Sequence, residues 1–458
     1  MTNVLIMHCH DLGRFVGCYG VNGVSTPAID ALAADGVRFD RAFCTAPQCS
    51  PSRASLFTGR YPQEHGVLGL THEDFGWDLR PDEQHIAAVF HDNGYRTALY
   101  GVHHESRVAP DADLARRLGF DEVVTGGNAP RVAGRAVAAL TDLAERAEPF
   151  YLQVGFNEPH RSPSPTDPPG TMGFLRPGVT PDTSNGVAVP PYLVDDDGSR
   201  AEIAELQGAT SAMDAGVGEV LAALRRTGLE DDTVVVFTTD HGLALPRAKC
   251  TLYDPGIEVA LVVRSPQHGW TGGRSSADLV SNIDIMPTVL EAAGIPVPGR
   301  VSGRSVVPLL NDEPHQAREQ VFAQITHHDY YDPRRCVRTA RHKLIVNFSS
   351  APSIMDSSQS WRPRSQPVTV QHGIPPYHPL VELYDLEHDP AELTDVADHA
   401  DYAAVRHHLL AQLADWMQDV DDPLPTGPVP APLHDRAVRL LHQMAVEPLD
   451  IAEERMRT

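Results

Sequence analysis

Three residues in the stretch CTAPQCSPSRASLFTGRYPQEHG (44–66) have types and spacing suited to nucleophilic chemistry: Cys49, Pro51 and Arg53. The surrounding prolines and serines are turn and helix-start chemistry, so Cys49 is predicted where a loop enters the first turn of a helix. A thiol there faces the positive end of the helix dipole. With Arg53 one turn on, it makes an anion-attracting pocket in which a nucleophile would meet a negatively charged group. A second set of residues could hold a metal. His10-Asp11 follows the apolar run NVLIMHC, Asp240-His241 follows TVVVFTT, and His160 lies just beyond PFYLQVGF. Ligands collect at the carboxyl ends of the strands of an open α/β sheet, so the carboxylates of Asp11 and Asp240 and the imidazoles of His10, His160 and His241 would come to one edge. Each pair taken alone is equally an ordinary turn sequence. Their occurrence together, in one chain with the Cys49 stretch, favours the metal.

The elements that must position these residues alternate. NVLIMHC reads as a parallel strand covered on both faces. In STPAIDALAADG, Thr26 is the expected N-cap, Pro27 the first helical residue and Gly36 the stop. A helix near 83–93, the strand YRTALYG, a helix near 131–147, PFYLQVGF, a long helix near 199–227, TVVVFTTD, VALVVRS and the helix DIMPTVLEAAG follow. That order predicts an α/β fold with a large, mostly parallel sheet sandwiched by helices. The Pro-, Gly-, Thr- and Asp-rich segment 161–198 is expected to be a loop folded over the site rather than a disordered excursion. Past residue 318, QVFAQIT, RCVRTA and HKLIVNF read as short antiparallel strands. ELYDLEHDPAE and an amphipathic helix near 402–419 come after them. We therefore expect a catalytic domain over 1–318 and a smaller C-terminal α+β domain over 319–458, its last forty residues lying across the large domain.

Composition narrows the partners. A chain of 458 residues exceeds one simple core. Its formal net charge of -24 argues against nucleic acid or an anionic membrane, and leaves room for a small anion entering a basic pocket. No apolar run approaches the ~18 residues of a membrane span. MTNVLIMHCHD carries neither a basic start nor a small-residue cleavage site, so a cytoplasmic location is expected. The six cysteines, Cys9, Cys18, Cys44, Cys49, Cys250 and Cys336, are too scattered for a disulfide framework.

CSPSRASLFTGR resembles the signature of the type I sulfatases, whose C-x-P-x-R cysteine is oxidised after translation to formylglycine. The match at Cys49, Pro51 and Arg53 extends through Thr58, Gly59 and Arg60. NVLIMHCHDLGRFVGCYG resembles the family's metal-binding start, PFYLQVGFNEPH its central histidine segment, TVVVFTTDHG its second metal segment and AKCTLYDPGIEVALVV its lysine segment. RAEIAELQGATSAMDAGVGEVLAAL, THHDYYDPRRCVRTARHKLIVNF and ELYDLEHDP stand in the order of the N-sulfoglucosamine sulfohydrolase, or sulfamidase, branch.

The resemblance implies an alkaline-phosphatase-like fold and hydrolysis of a sulfate ester or sulfamate. A formylglycine made from Cys49 by a formylglycine-generating enzyme would hydrate, attack sulfur, and clear its product as the carbonyl reforms. It further implies His10, Asp11, Cys49, Asp240 and His241 as metal ligands and Arg53 as the residue holding the hydrate. Lys249 and His160 would contact the sulfuryl oxygens, with His160 or His104 protonating the leaving atom. Two departures matter. His10 stands where the family usually has Asp and His241 where it has Asn or His, and with two imidazoles Ca²⁺, expected by resemblance, competes with Mn²⁺ or Zn²⁺. In LYGVHHES, Val102 stands where the family has a lysine, and His103 or Arg107 are the candidate substitutes. The expected partner is a small anionic sulfated substrate such as an imported mono- or disaccharide. Three other readings stay open: a phosphonate or phosphate ester hydrolase of the same superfamily, a degenerate sulfatase-like binding protein, and an unmodified Cys49 thiol working with a histidine base.

Overall fold

The computed structural model describes residues 2–72, 74–163, 171–353, 364–368 and 376–446. Residues 164–170 of the Pro-rich segment and 447–458 of the tail lie outside them. The first strand, β1 (Asn3–Cys9), is buried along its whole length. Its side chains alternate as a pleated strand requires: Val4 and Ile6 enter one core, Leu5, Met7 and Cys9 the other. Helix α1 (Pro27–Asp35) leads to β2 (Val37–Phe43), and α2 (Cys49–Thr58) and α3 (Ile86–Asp92) lead to β3 (Arg96–Gly101) and β4 (Glu122–Thr125). Next come α4 (Ala129–Leu143), β5 (Phe150–Gly155), α5 (Asp197–Arg226), β6 (Thr233–Thr239), β7 (Glu258–Val259), β8 (Leu261–Arg264), β9 (Arg274–Ser281) and α6 (Ile285–Ala292).

The large sheet runs β9-β2-β8-β6-β1-β5-β3-β4, with β7 paired to β2. Its pairings are parallel except those of β7 and β8, so the expected fold class holds. Helices α1, α4 and α5 cover one face, and α2, α3 and α6 the other. Three strands were not named from the sequence. β2 and β9 are only partly covered and carry polar residues through their length, VRFDRAF and RSSADLVS, so neither forms the apolar run that betrays a buried strand. β4 has four residues, of which only Val123 is fully buried. VALVVRS proves to be two short strands divided at Ala260.

Thr26 does occupy the N-cap of α1, but its hydroxyl does not cap the helix. It accepts instead from the Gly17 amide (2.8 Å) and bonds Asp30 (3.1 Å). The first-turn amides of Ala28 and Ile29 donate to the carboxylate of Asp214 on α5, each at 2.9 Å. A carboxylate brought in by tertiary packing outcompetes the local hydroxyl because two oxygens serve two orphan amides.

A second sheet of four antiparallel strands follows: β10 (Gln320–His327), β11 (Tyr331–Thr339), β12 (His342–Asn347) and β13 (Val381–Asp385). Helix α7 (Ala403–Asp419) packs on it, Trp416 stacking on Phe322 at 4.9 Å and meeting Tyr61 of the preceding part at 5.3 Å. One hydrophobic cluster runs from α2 and α3 through this sheet to α7. The start of the tail meets both parts of the chain, Gln63 donating to Asp422 at 2.8 Å. Val429 is tied to the small sheet, its carbonyl accepting from His327 and its amide donating to the Tyr331 hydroxyl, both at 3.1 Å. The helix Pro432–Val446 beyond it exposes Leu433, Val438, Leu440 and Leu441 rather than burying them on the large sheet.

The end of α7 is locked by Arg335 on β11. Its guanidinium is wholly buried and reaches both oxygens of Asp422, at 2.5 and 3.0 Å. Asp422→Ala leaves that cation uncompensated and is expected to cost about 3–5 kcal/mol, read as a lower urea midpoint at unchanged slope.

Candidate functional site

The register of β1 against β6 sets Cys9 beside Thr239, so the residues that follow, His10-Asp11 and Asp240-His241, emerge side by side. Asp240 joins the two turns. Its Oδ1 accepts from the amides of Asp11 (2.9 Å) and His241 (2.8 Å). Its Oδ2 accepts from Arg53 Nε at 3.2 Å and lies 3.1 Å from His10 Nδ1. Asp11 sits in the left-handed region at φ 53°, a conformation costly for a residue with a Cβ and characteristic of functional sites. Lys249 donates to both of its oxygens, at 3.0 and 3.1 Å. Burial opposes ionisation of Asp11, but Lys249, His160 and His241 outweigh it and hold its carboxyl well below the usual range. Asp240 is likewise drawn down to about 2 against burial by His241 and Arg53. Two carboxylates thus face one ammonium and one guanidinium in a fully buried nest.

The imidazoles complete a metal donor set. His10 is buried, and neither ring nitrogen makes a hydrogen bond; the close Asp240 oxygen is not aligned for one. Burial and the Arg53 charge press its pKa far below the usual value, so it is neutral. His241 can donate Nδ1–H to the Gly242 carbonyl (3.0 Å), which leaves the Nε2 lone pair 3.2 Å from Asp11 and 3.4 Å from Cys49 Sγ. Donor atoms of Asp11, Cys49, Asp240 and His241 lie within 4.8 Å of one another, as do those of His10, Asp11, Cys49 and His160. The orphaned ring of His10 and the open Nε2 of His241, beside two ionised carboxylates, fit a divalent metal ion.

Cys49 opens α2 as its spacing predicts, and every residue of that helix is buried. The dipole does not make it a thiolate: burial dominates and pushes the thiol up to about 12. Burial thus holds Cys49 as a neutral thiol beside His241. Arg53 reaches from α2 to the β6 turn through Asp240 and to the end of β1 through the Cys9 carbonyl (3.2 Å) and His8 Nδ1 (2.6 Å). Ser52 Oγ donates to the Asp240 carbonyl at 2.5 Å, fastening the same helix to the β6 turn.

Cys49 opens onto a cavity of about 280 Å³ whose walls include His104, His160, Asn157, Arg161 and Arg176. His104 is held at φ 98°, and its ring lies 5.0 Å from that of His10. His160 Nδ1 faces the Arg161 carbonyl (2.5 Å), so its Nε2 is the free acceptor, 3.8 Å from Asp11. Burial lowers His160 to about 4 and His104 further. The two candidate substitutes for the missing lysine are engaged elsewhere. His103 lies 3.5 Å from Glu105 and Arg107 3.5 Å from Asp78, and neither lines the cavity. Sequence reasoning missed His8, His72, Asn157, Arg176 and His328, all in or behind this cavity. Asn157 stands in the quoted NEPH segment and Arg176 in the segment read as a loop over the site. His328 arrives from the end of β10, which no local signal joins to Cys49. In that loop, Arg161, Ser162, Pro163 and Arg176 line the cavity, and Gln207 of α5 holds the Asp182 and Gly186 carbonyls at 2.8 and 3.0 Å. A wider groove of about 1050 Å³ by Arg14, Tyr19 and residues 185–192 does not reach Cys49.

A buried acid-imidazole nest lies at the strand ends of a helix-covered, mostly parallel sheet, with Cys49 at a helix start above it, an arrangement able to hold a divalent metal. The sulfatase family model matches residues 2–295, and that of the N-sulphoglucosamine sulphohydrolase C-terminal region matches 243–357. This chain belongs to the sulfatase family. Human N-sulphoglucosamine sulphohydrolase is 30% identical over 93% of this chain and 92% of its own. A solved 2-O GAG sulfatase superposes with a TM-score of 0.69 at 23% identity, covering 94% of this chain and 95% of its own. The phosphonate monoester hydrolase of Agrobacterium radiobacter does so at 0.67 and 22%, covering 92% and 96%. Those two structures establish the shared fold. Among the described residues no helix is long and apolar enough to cross a membrane.

Proposed function

We propose that this protein hydrolyses the sulfate ester or sulfamate of a small sulfated sugar, with Cys49, converted to formylglycine by a formylglycine-generating enzyme, as the nucleophile. The observation that carries the proposal is Cys49 at the floor of a small cavity, its sulfur 3.4 Å from His241 and 4.0 Å from Asp11 in a neutralised nest. Its relatives support sulfur over phosphorus, whereas the fold, shared with a phosphonate monoester hydrolase, fits both. His10, Asp11, Asp240 and His241, with position 49, would hold one divalent metal, which when bound supplies Lewis-acid polarisation of the reacting oxygens. Arg53 and Asp240 fix the nucleophile's helix against that nest. His160 is neutral at rest with its acceptor nitrogen toward Asp11, so it is suited to take the proton released at position 49 and return it to the leaving oxygen or nitrogen. His104 borders the same space and is the other group that can carry that proton. Lys249 balances Asp11 and, once the metal shares that carboxylate, can turn its ammonium toward the sulfuryl group. The division at residue 318 belongs to the proposal, with His328 as the second domain's contribution to the cavity wall. A cavity of about 280 Å³ supports a substrate of monosaccharide scale, as expected of a cytoplasmic enzyme meeting imported sugars.

The test is turnover by metal-loaded protein matured alongside a formylglycine-generating enzyme, using glucosamine 2-N-sulfate, glucosamine 6-O-sulfate and a phosphonate monoester. We expect kcat/KM for one sulfated sugar to exceed that for the phosphonate at least tenfold. The reverse order would assign the protein to phosphonate chemistry, and turnover of none would leave the degenerate binding protein.

A further inference from the structure

The anion that enters the Cys49 cavity meets few free cations. Arg53 is committed to Asp240, and Lys249 to both oxygens of Asp11; neither lines the cavity. Two guanidiniums do. Arg161 is neutralised by a carboxylate, its Nη1 donating to Glu202 at 2.7 Å and its Nε to the Ala244 carbonyl at 2.9 Å, although its buried Nη2 makes no hydrogen bond. Arg176 is different. With the Asn157 amide oxygen turned toward it, that oxygen accepts from Nη1 and Nη2 at 2.9 and 3.0 Å, and the His160 carbonyl accepts from Nη2 at 2.8 Å. These are neutral acceptors. The nearest carboxylate, Glu158, stays 3.9 Å away, beyond hydrogen-bond distance. Nε is buried and makes no hydrogen bond. No carboxylate stands among the described residues lining the cavity.

We infer that Arg176 is the residue that binds the sulfuryl oxygens of the substrate, supplying from the 171–198 loop the positive charge that Val102 does not. The inference rests on the sulfatase reading of the same site. The guanidinium is pinned from behind by Asn157 and by the His160 carbonyl, so it is oriented before the substrate arrives and loses little entropy on binding. It lines the same small cavity as Cys49, which places its charge on the wall facing the nucleophile position rather than at a remote rim. Held by neutral acceptors, the guanidinium fork keeps its charge and one Nη1 hydrogen for an oxygen of the tetrahedral sulfuryl group. Arg176 is a binding residue, and it moves no proton.

The experiment compares Arg176→Gln and Arg176→Lys with the unaltered enzyme, all matured and metal-loaded, in two assays. The first is binding of inorganic sulfate by calorimetry. The second is kcat/KM for an aryl sulfate, whose only anionic group is the sulfate, beside a sulfated sugar carrying a second acidic group. We expect Arg176→Gln to weaken sulfate binding and to lower kcat/KM on both substrates by about 10- to 100-fold, the worth of a charged hydrogen bond. Arg176→Lys should recover part of both, at an unchanged thermal midpoint. Sulfate affinity equal to that of the unaltered protein would overturn the inference, as would a loss confined to the substrate with the second acidic group. Arg176-dependent sulfate binding in a protein that turns over no sulfate ester would sink the proposed function and leave this inference standing. If Arg176→Gln fails to fold, Arg176→Lys carries the test: wild-type sulfate affinity together with wild-type kcat/KM on the aryl sulfate would show that the fork is not used.

Discussion

Cys49→Ser is expected to abolish turnover while leaving the fold and the metal nest intact. The serine hydroxyl is smaller than the thiol it replaces, and the site is 3% exposed, so no packing is forced out of place. What changes is the chemistry available at that atom. The thiol is held neutral by burial, near 12, which makes an unmodified cysteine a poor nucleophile and fits the proposed conversion to the aldehyde. Serine cannot be converted, and a sulfate ester formed on it has no carbonyl to reform. We expect kcat to fall by at least about 10⁴-fold, the scale seen when a covalent nucleophile is removed. Intact-peptide mass spectrometry should find the wild-type tryptic fragment about 18 Da lighter than its unmodified sequence and the serine variant unchanged. A wild-type fragment at full thiol mass that still supports turnover would refute the formylglycine route outright. A serine variant retaining more than a hundredth of wild-type kcat would show that position 49 is not the nucleophile.

Much of this site could be read in sequence because its residues announce themselves locally. NVLIMHC and TVVVFTT are apolar runs of strand length, each ending in an acid-imidazole pair, and parallel neighbours bring their ends together. CSPSR carries its own helix start. The half-covered strands β2 and β9 were missed because polar residues along them hide the period on which recognition depends. The N-terminus of α1 looked locally capped, yet the capping oxygens come from Asp214, far along the chain. Arg176 and His328 are single residues in irregular or strand-end positions, and only the folded chain sets them against Cys49. The direction of the Cys49 pKa also had to come from burial. A helix dipole is worth about 0.3–1 kcal/mol, less than the desolvation of a thiolate enclosed on every side.

Asp240→Asn should have the second large effect, for reasons of charge rather than shape. Asp240 is the one residue that touches both metal-side turns, Arg53 and His10 at once. Neutralising it leaves a buried guanidinium and a buried ammonium against the single carboxylate of Asp11. A divalent cation must then enter a nest that is already net positive. We expect metal affinity to fall by more than the 10- to 100-fold typical of supporting residues, since a coordinating charge itself is lost. Stability should fall by about 3–5 kcal/mol because Arg53 keeps its burial and loses its counter-ion. Calorimetric titration of the chelated protein with Mn²⁺ and with Ca²⁺, in wild type and variant, checks both the loss and its chemistry. Two imidazoles among the donors favour Mn²⁺ in the wild type, whereas a hard oxygen site would favour Ca²⁺. If Asp240→Asn binds either metal with wild-type affinity, Asp240 is a structural clamp for Arg53, and the ion is held by Asp11 and the imidazoles without it.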